Sequence, residues 1–227
     1  RALRLGRVYD RIPFAAFARR LGADRALDLC SGAGEPAAIL GRGTGVRFTL
    51  SDLFPNVAAF EALAARAGVD FVAEPVDATA VPDRLDHPIR TVVSAFHHFR
   101  PGLARGILAA AVRDGKAVFI VEGFPRSLLR YAAILPALFA GGTVNPFLAE
   151  RGRLAKFLLT FVVPLIPVLG MFDGLVSALR IHSRAELEAM VADLPGDYVW
   201  EYGTAPYPPW GRATWFAGLP RAMTREA

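Results

Sequence analysis

The chain has 227 residues, which suits one α/β domain, or one domain carrying an insertion, better than two full domains. Its formal charge is +5, and all of its cationic side chains are Arg except Lys116 and Lys156, a bias that reads as codon composition before it reads as a polyanionic partner. The lone Cys30 excludes a disulfide framework and a multi-cysteine metal site, so no metal is expected, while 53% hydrophobic content and a mean hydropathy of +0.34 exclude a disordered chain.

The chain begins at Arg1 without Met, so trimming of an N-terminal segment is expected, and its start shows no charged-apolar-small cleavage pattern. Between Tyr9 and Leu21 the apolar spacing predicts a short amphipathic helix beginning near Pro13, with Arg19 and Arg20 at its negative end. Arg25 to Cys30 reads as a strand, Ser31 to Gly34 as a small-residue turn and Glu35 to Leu40 as a helix. Strand, glycine turn and helix together open a nucleotide-binding βαβ unit. The alternation continues with strands at 46–50, 71–76, 90–96 and 116–121, and helices at 55–67 and 101–112. Nearly unbroken apolar strands fit a parallel sheet covered on both faces, and this order of elements predicts a doubly wound fold.

The pattern breaks after Gly123. Nineteen residues between Arg130 and Glu150 carry no charge, nor do sixteen between Lys156 and Asp173. Pro136, Pro146, Pro164 and Pro167 interrupt these runs, so 124–172 is expected to be a bent apolar helical hairpin within a single domain, not two membrane spans. Ser183 and Glu186 form a capping box opening a helix to Leu194. Residues 197–202 and 213–217 read as two late strands separated by Pro206 to Pro209; if neighbours, they must pair antiparallel. A mostly parallel seven-stranded sheet ending in an antiparallel hairpin is the expected architecture.

Residues 26–123 resemble the cofactor half of a class I S-adenosylmethionine (AdoMet)-dependent methyltransferase of the small-molecule type, and the closing hairpin resembles that family's last two strands. Asp28-Leu-Cys-Ser-Gly-Ala-Gly34 resembles its first glycine motif. Asp52, eighteen residues after Gly34, stands where the ribose-binding acid sits, and Asp77 resembles the acid that meets the adenine. Ser94-Ala-Phe-His-His-Phe99 resembles the motif after strand four. The resemblance implies AdoMet as cofactor, held by Tyr9, Asp28, Gly32, Gly34, Asp52, Phe54, Asp77, Ala78 and Ser94.

The residue chemistry agrees with that assignment. Gly32 and Gly34 let the backbone approach the methionyl portion, and Asp28 with nearby amides can hold its charged ends. Asp52 can accept from both ribose hydroxyls, Asp77 from the adenine amino group, and the Ala78 amide can donate to a ring nitrogen. Phe54 is placed beside the adenine face, and Tyr9 over the cofactor. Where Cys30 stands the family usually has glycine; because a Cβ disfavours positive φ, this position is expected to be extended or its turn widened.

His97 and His98 follow strand four, at the edge where such sheets bind ligands, and are the candidate catalytic residues, His98 slightly preferred. Asp173, Arg180, Tyr207 and Trp210 are candidate substrate contacts, although Asp173 and Arg180 at helical spacing also suit a structural ion pair. A hairpin carrying Leu135, Leu138, Phe139, Phe147, Phe157, Phe161, Leu165 and Leu169 could roof an apolar acceptor pocket, lie in a membrane interface beside Arg126, Arg130, Arg151, Arg153 and Lys156, or form a homodimer contact. The expected activity is methyl transfer to an O, N or C atom of a hydrophobic small molecule. A non-catalytic AdoMet-binding or membrane-associated scaffold is the alternative. A nucleic-acid acceptor is set aside, because the Arg residues are scattered and Ser94-Ala-Phe-His97 replaces the Asp/Asn-Pro-Pro-aromatic motif of base-nitrogen methylases. The expected location is cytoplasmic, with membrane association left open.

Overall fold

The apolar run at 25–30 forms β1 (Arg25–Asp28), buried from Ala26 onward, with parallel neighbours on both sides: β2 (Arg47–Leu50) and β4 (Ile89–Val93). This is a computed structural model describing residues 8–148, 152–208 and 210–223. With β3 (Asp70–Phe71), β5 (Ala117–Glu122), β6 (Tyr198–Tyr207) and β7 (Gly211–Pro220), the strands make one seven-stranded sheet in the order 3-2-1-4-5-7-6. Strands β1 to β5 are parallel; β7 pairs antiparallel with both β5 and β6, as the sequence pattern predicts. Strand order reverses between β1 and β4, and a crevice opens at the carboxyl ends of strands at such a point.

Alternation along each strand sends neighbouring side chains to opposite faces. Ala117, Phe119 and Val121 of β5 join one core with α1 (Phe14–Leu21), α2 (Glu35–Gly41) and α3 (Val57–Ala67). Here Phe14, Phe17 and Phe119 meet at ring distances of 4.8 to 6.5 Å, and Trp215 stacks on Phe119. Val118 and Ile120 face the other core, with α4 (Pro101–Arg113) and α8 (Arg184–Val191). The capping box forms in full: Ser183 accepts from the Glu186 amide, and Glu186 accepts from the Ser183 amide.

Several boundaries differ from the sequence expectation. β3 has two residues, not six; Pro75 has no N–H to give a ladder, although Val72 and Val76 donate to the carbonyls of Leu50 and Asp52 and keep the segment beside β2. β6 and β7 have ten residues each, and Pro206 lies inside β6, which tolerates it as an edge strand. The apolar hairpin does not stop at 172. It comprises α5 (Leu128–Leu148), α6 (Arg153–Phe157), a π-helical turn (Leu158–Val162) and α7 (Leu165–Arg180), so Asp173, Ser177 and Arg180 lie on its second arm. The last two helical stretches meet at a 76° bend beside Pro164. The Tyr131 hydroxyl donates to the Met171 carbonyl and ties α5 to α7. Arg151 and the Glu150 part of the link lie outside the described residues, as does Pro209.

Candidate active site

The turn after β1 is organised from below by Asp28. This residue is 1% exposed; one carboxylate oxygen accepts from Ser31 Oγ at 2.6 Å, the other from Thr91 Oγ1 at 2.7 Å. Burial pushes its carboxyl pKa up to about 7, the two hydroxyls opposing and the charge of Asp52 adding a little. The resemblance gives Asp28 the charged ends of the methionyl group; in the fold it accepts from two hydroxyls and holds the turn. The turn itself has Cys30 at φ +62°, Gly32 at +58° and Gly34 at +80°. Cys30 is therefore not extended: it accepts the left-handed conformation despite its Cβ. A Cβ on Gly34 would stand 2.4 Å from Leu50 Cδ1, whereas one on Gly32 would meet nothing within 4 Å.

Asp52 reaches this turn from the tip of β2. Its Oδ2 accepts from the Gly32 amide and its Oδ1 from the Phe54 amide, both at 2.9 Å. The backbone carbonyl of Asp52 accepts from Val76 N at 2.8 Å, bringing the segment that bears Asp77 and Ala78 alongside. Asp77 is exposed, and the amide and hydroxyl of Thr79 hold its carboxyl below the usual range. The Cys30 thiol measures the convergence: burial pushes it up to about 12, with the charges of Asp28, Asp52 and Asp77 all contributing. Ala78 is buried, and Phe54, 84% exposed, stands beside Asp52. The segments bearing Asp52 and Asp77 lie side by side, and the space at Gly32 is open.

Across the strand-order reversal, Ser94 ends β4 at φ +55°, the second non-glycine residue with positive φ among the described residues. Its hydroxyl is 2.6 Å from that of Tyr9, so the segment before α1 is fastened over the crevice. Burial pushes Tyr9 up to about 12, with the charges of Glu122 and Asp28 adding. Glu122 is a residue the sequence reading missed. It ends β5, is 6% exposed, and accepts from the His97 amide at 2.9 Å while its other oxygen lies 2.8 Å from His97 Nδ1. The signal was present: a carboxylate closing the otherwise apolar run Ala117–Glu122. His97 is buried and its ring lies 4.2 Å from that of exposed His98, whose pKa is lowered by burial and the neighbouring His97. Of the two candidate histidines, His97 is the one bonded to a carboxylate.

A cleft of about 340 Å³ lies beside these tips. Ser94, His97, His98 and Glu122 line one wall, and Leu138, Gly170, Asp173 and Ser177 of the hairpin the other. Asp173 and Arg180 form no ion pair with each other; the charges of both act on His98, in opposite directions. Tyr207 is not in the cleft: its hydroxyl donates to the Gly123 carbonyl at 2.8 Å and joins β6 to the end of β5. Trp210 is 71% exposed on the β6–β7 turn and does not line the cleft either. Of the eight roof side chains expected, Leu138 lines the cleft and Leu135 packs beside Tyr131; the other six are exposed. Among the described residues no group of three His, Cys, Asp or Glu side chains could hold a metal ion.

No family model and no curated protein matches this sequence. Solved structures do match by shape. The AdoMet-dependent methyltransferase SibL superposes with a TM-score of 0.57 at 15% identity, over 96% of this chain and 55% of SibL, so the chain spans about half that protein. The plantazolicin methyltransferase BpumL, solved with S-adenosylhomocysteine, gives 0.54 at 10% identity over 97% of this chain and 90% of its own. The fold is that of a class I methyltransferase. A third member of that fold, magnesium protoporphyrin IX methyltransferase from Synechocystis PCC 6803 with bound S-adenosylhomocysteine, gives 0.52 at 13% identity over 96% of this chain and 85% of its own.

Proposed function

We propose that the protein transfers the methyl group of AdoMet to an O, N or C atom of a hydrophobic small molecule. The observation that carries this reading is the meeting of Asp52, Asp77 and an open glycine turn beside the strand-order reversal, next to a cleft where Phe124, Leu138 and Ile181 stand among polar groups. Bound AdoMet supplies a methyl group already activated on a sulfonium, so the protein's task is alignment and exclusion of water.

Asp52 keeps a free lone pair on each oxygen beyond the amides it accepts from, enough for two ribose hydroxyls. Gly32 lets the backbone come close to the cofactor, Asp77 and the Ala78 amide address the adenine edge, and exposed Phe54 offers a ring to its face. Tyr9, held by Ser94, covers the crevice. On the acceptor side Glu122 accepts a hydrogen bond from the Nδ1–H of His97 and leaves Nε2 as an acceptor; this nitrogen removes a proton where the acceptor atom is a hydroxyl or an acidic carbon. His98, with its pKa lowered, stays neutral at neutral pH and shapes the wall beside it. Asp173, Ser177 and Arg180 orient a polar group of the acceptor, and Leu138 and the glycines of α7 take its apolar body.

Calorimetric titration with AdoMet tests the cofactor half. Asp52→Ala removes two charge-assisted hydrogen bonds, which corresponds to roughly a 100-fold loss of affinity. Unchanged affinity in that variant, or no binding by the wild-type chain, overturns the reading.

A further inference from the structure

We infer that the α5–α7 hairpin docks in the surface of an anionic lipid bilayer. α5 is apolar on two faces. Tyr131, Ile134 and Leu138 face the core and the cleft, while Leu129, Pro136, Phe139, Val144 and Phe147 form an exposed stripe on the other side, where Phe147 meets the likewise exposed rings of Phe157 and Phe161. The stripe continues into the elbow: Phe161, Val162, Val163 and Leu165 are all exposed, and Phe172 on α7 is 63% exposed. A continuous apolar surface of this extent does not stay against water.

Charge selects what covers it. Between Glu122 and Asp173 the sequence has a single acid, Glu150, against Arg126, Arg130, Arg151, Arg153 and Lys156; of these Arg126 is neutralised by Glu186 at 2.8 Å, and the excess is still positive. These cations flank the apolar runs, and near an anionic membrane each is attracted to the headgroups. A second copy of the chain would set the same cations against one another across a two-fold contact, which disfavours a dimer there. No single helix among the described residues is long and apolar enough to cross a membrane, and the bend of 76° turns the second arm aside. The hairpin therefore lies within the interface, its apolar side in the acyl boundary and its cations at the headgroups. The inner side of the same hairpin lines the cleft that holds His97. On the methyl-transfer reading, and resting on it, this docking narrows the acceptor to a molecule dissolved in the bilayer.

The test is co-sedimentation of the full chain with vesicles of phosphatidylcholine alone or mixed with phosphatidylglycerol, at low and high salt. The chain should pellet with the anionic vesicles, be released by salt, and stay in solution with phosphatidylcholine. Leu129→Asp with Val162→Asp, two exposed positions outside the cleft, should lower the vesicle partition at least about tenfold while leaving AdoMet affinity unchanged. Should that variant lose its folded circular dichroism, the comparison of the two vesicle types with the wild-type chain decides alone. A chain that stays in solution with anionic vesicles, a folded variant that binds them as the wild type does, or a dimer in sedimentation velocity without vesicle binding overturns the inference. Failure to bind AdoMet sinks the methyl-transfer reading and leaves the vesicle result standing.

Discussion

The two turn glycines separate folding from cofactor binding. Each has a positive φ, so an alanine at either position costs about 1–2 kcal/mol of backbone strain. At Gly34 the new Cβ would also stand 2.4 Å from Leu50 Cδ1 and 2.9 Å from Leu63 Cδ2, both in the core, adding about 1–3 kcal/mol of overpacking. Gly34→Ala should thus lower stability by about 2–5 kcal/mol, a drop in Tm of about 10 °C for a chain of this size. At Gly32 the Cβ meets no protein atom, so the cost is strain alone and the drop is about 4 °C. The binding order is the reverse. The Gly32 methyl would stand where the cofactor approaches the backbone, beside the amide that Asp52 holds, and should weaken AdoMet at least about tenfold. Thermal denaturation and calorimetric titration of the two variants check both halves. Wild-type AdoMet affinity in a folded Gly32→Ala chain refutes the cradle, and a Gly34→Ala chain as stable as the wild type refutes the packing argument.

Asp28 predicts a pH dependence. Its folded pKa of about 7 lies above the ordinary 3.8, so between those values the folded chain holds more protons than the unfolded one and stability falls as pH rises, by on the order of 4 kcal/mol, levelling off above about pH 7. Asp28→Asn keeps an oxygen for Thr91 and should abolish that fall, measured as the difference in Tm between the two chains from pH 4 to 8 so that carboxyls with lowered pKa, such as Asp77 and Glu186, cancel. Parallel curves for the two chains refute it. Glu122→Gln should preserve the bond from the His97 amide but present an N–H to Nδ1, forcing the proton onto Nε2; with a hydroxyl acceptor kcat should fall about 100-fold or more, AdoMet affinity holding. An equal loss of AdoMet binding would instead assign Glu122 to the fold.

How far the sequence was legible follows from which interactions are local. The alternation of strands and helices, Pro13 before α1 and Pro101 opening α4, and the Ser183–Glu186 capping box are decided within a few residues, and they stand where expected. Asp52 and Asp77 were legible because the ends of parallel strands share an edge once the strand order is known. What failed depends on partners distant in the chain. The fate of Cys30 is set by its neighbours in space: Ser31 N donates to the Ser51 carbonyl and Ser31 Oγ to Asp28, and these anchors carry Cys30 into a conformation its own Cβ opposes. The pairing of Glu122 with His97 joins residues 25 apart beyond two neighbouring strands: the acid stands out in its apolar run, but its partner does not. The hairpin's composition showed that it was apolar but not which side faces the cleft; packing of Tyr131, Ile134 and Ala178 decides that, and it turned Phe139, Phe147 and Phe161 outward.

Among the described residues the left-handed backbone of non-glycine residues gathers on one edge, and its arrangement bears on function. Cys30 and Ser94 hold left-handed backbone at the ends of β1 and β4, the two strands flanking the reversal, at about 1–2 kcal/mol each. Asp28 beneath them resists ionisation, and Glu122 with His97 is enclosed on the next strand. A buried ion pair also exists at the opposite edge, where Arg90 meets Asp114 at 2.8 Å, but no positive φ among non-glycine residues accompanies it. Strain of this kind persists only where surrounding structure over-determines it, and here Leu27, Leu29, Val92 and Ile120 supply that rigidity from a dry core. A chain under pressure for stability alone would place glycine at 30 and an apolar residue at 122. On the proposed reading Cys30 and Glu122 both stand where cofactor and acceptor would meet, and preorganised polar groups act only when the scaffold holds them against their own preferences.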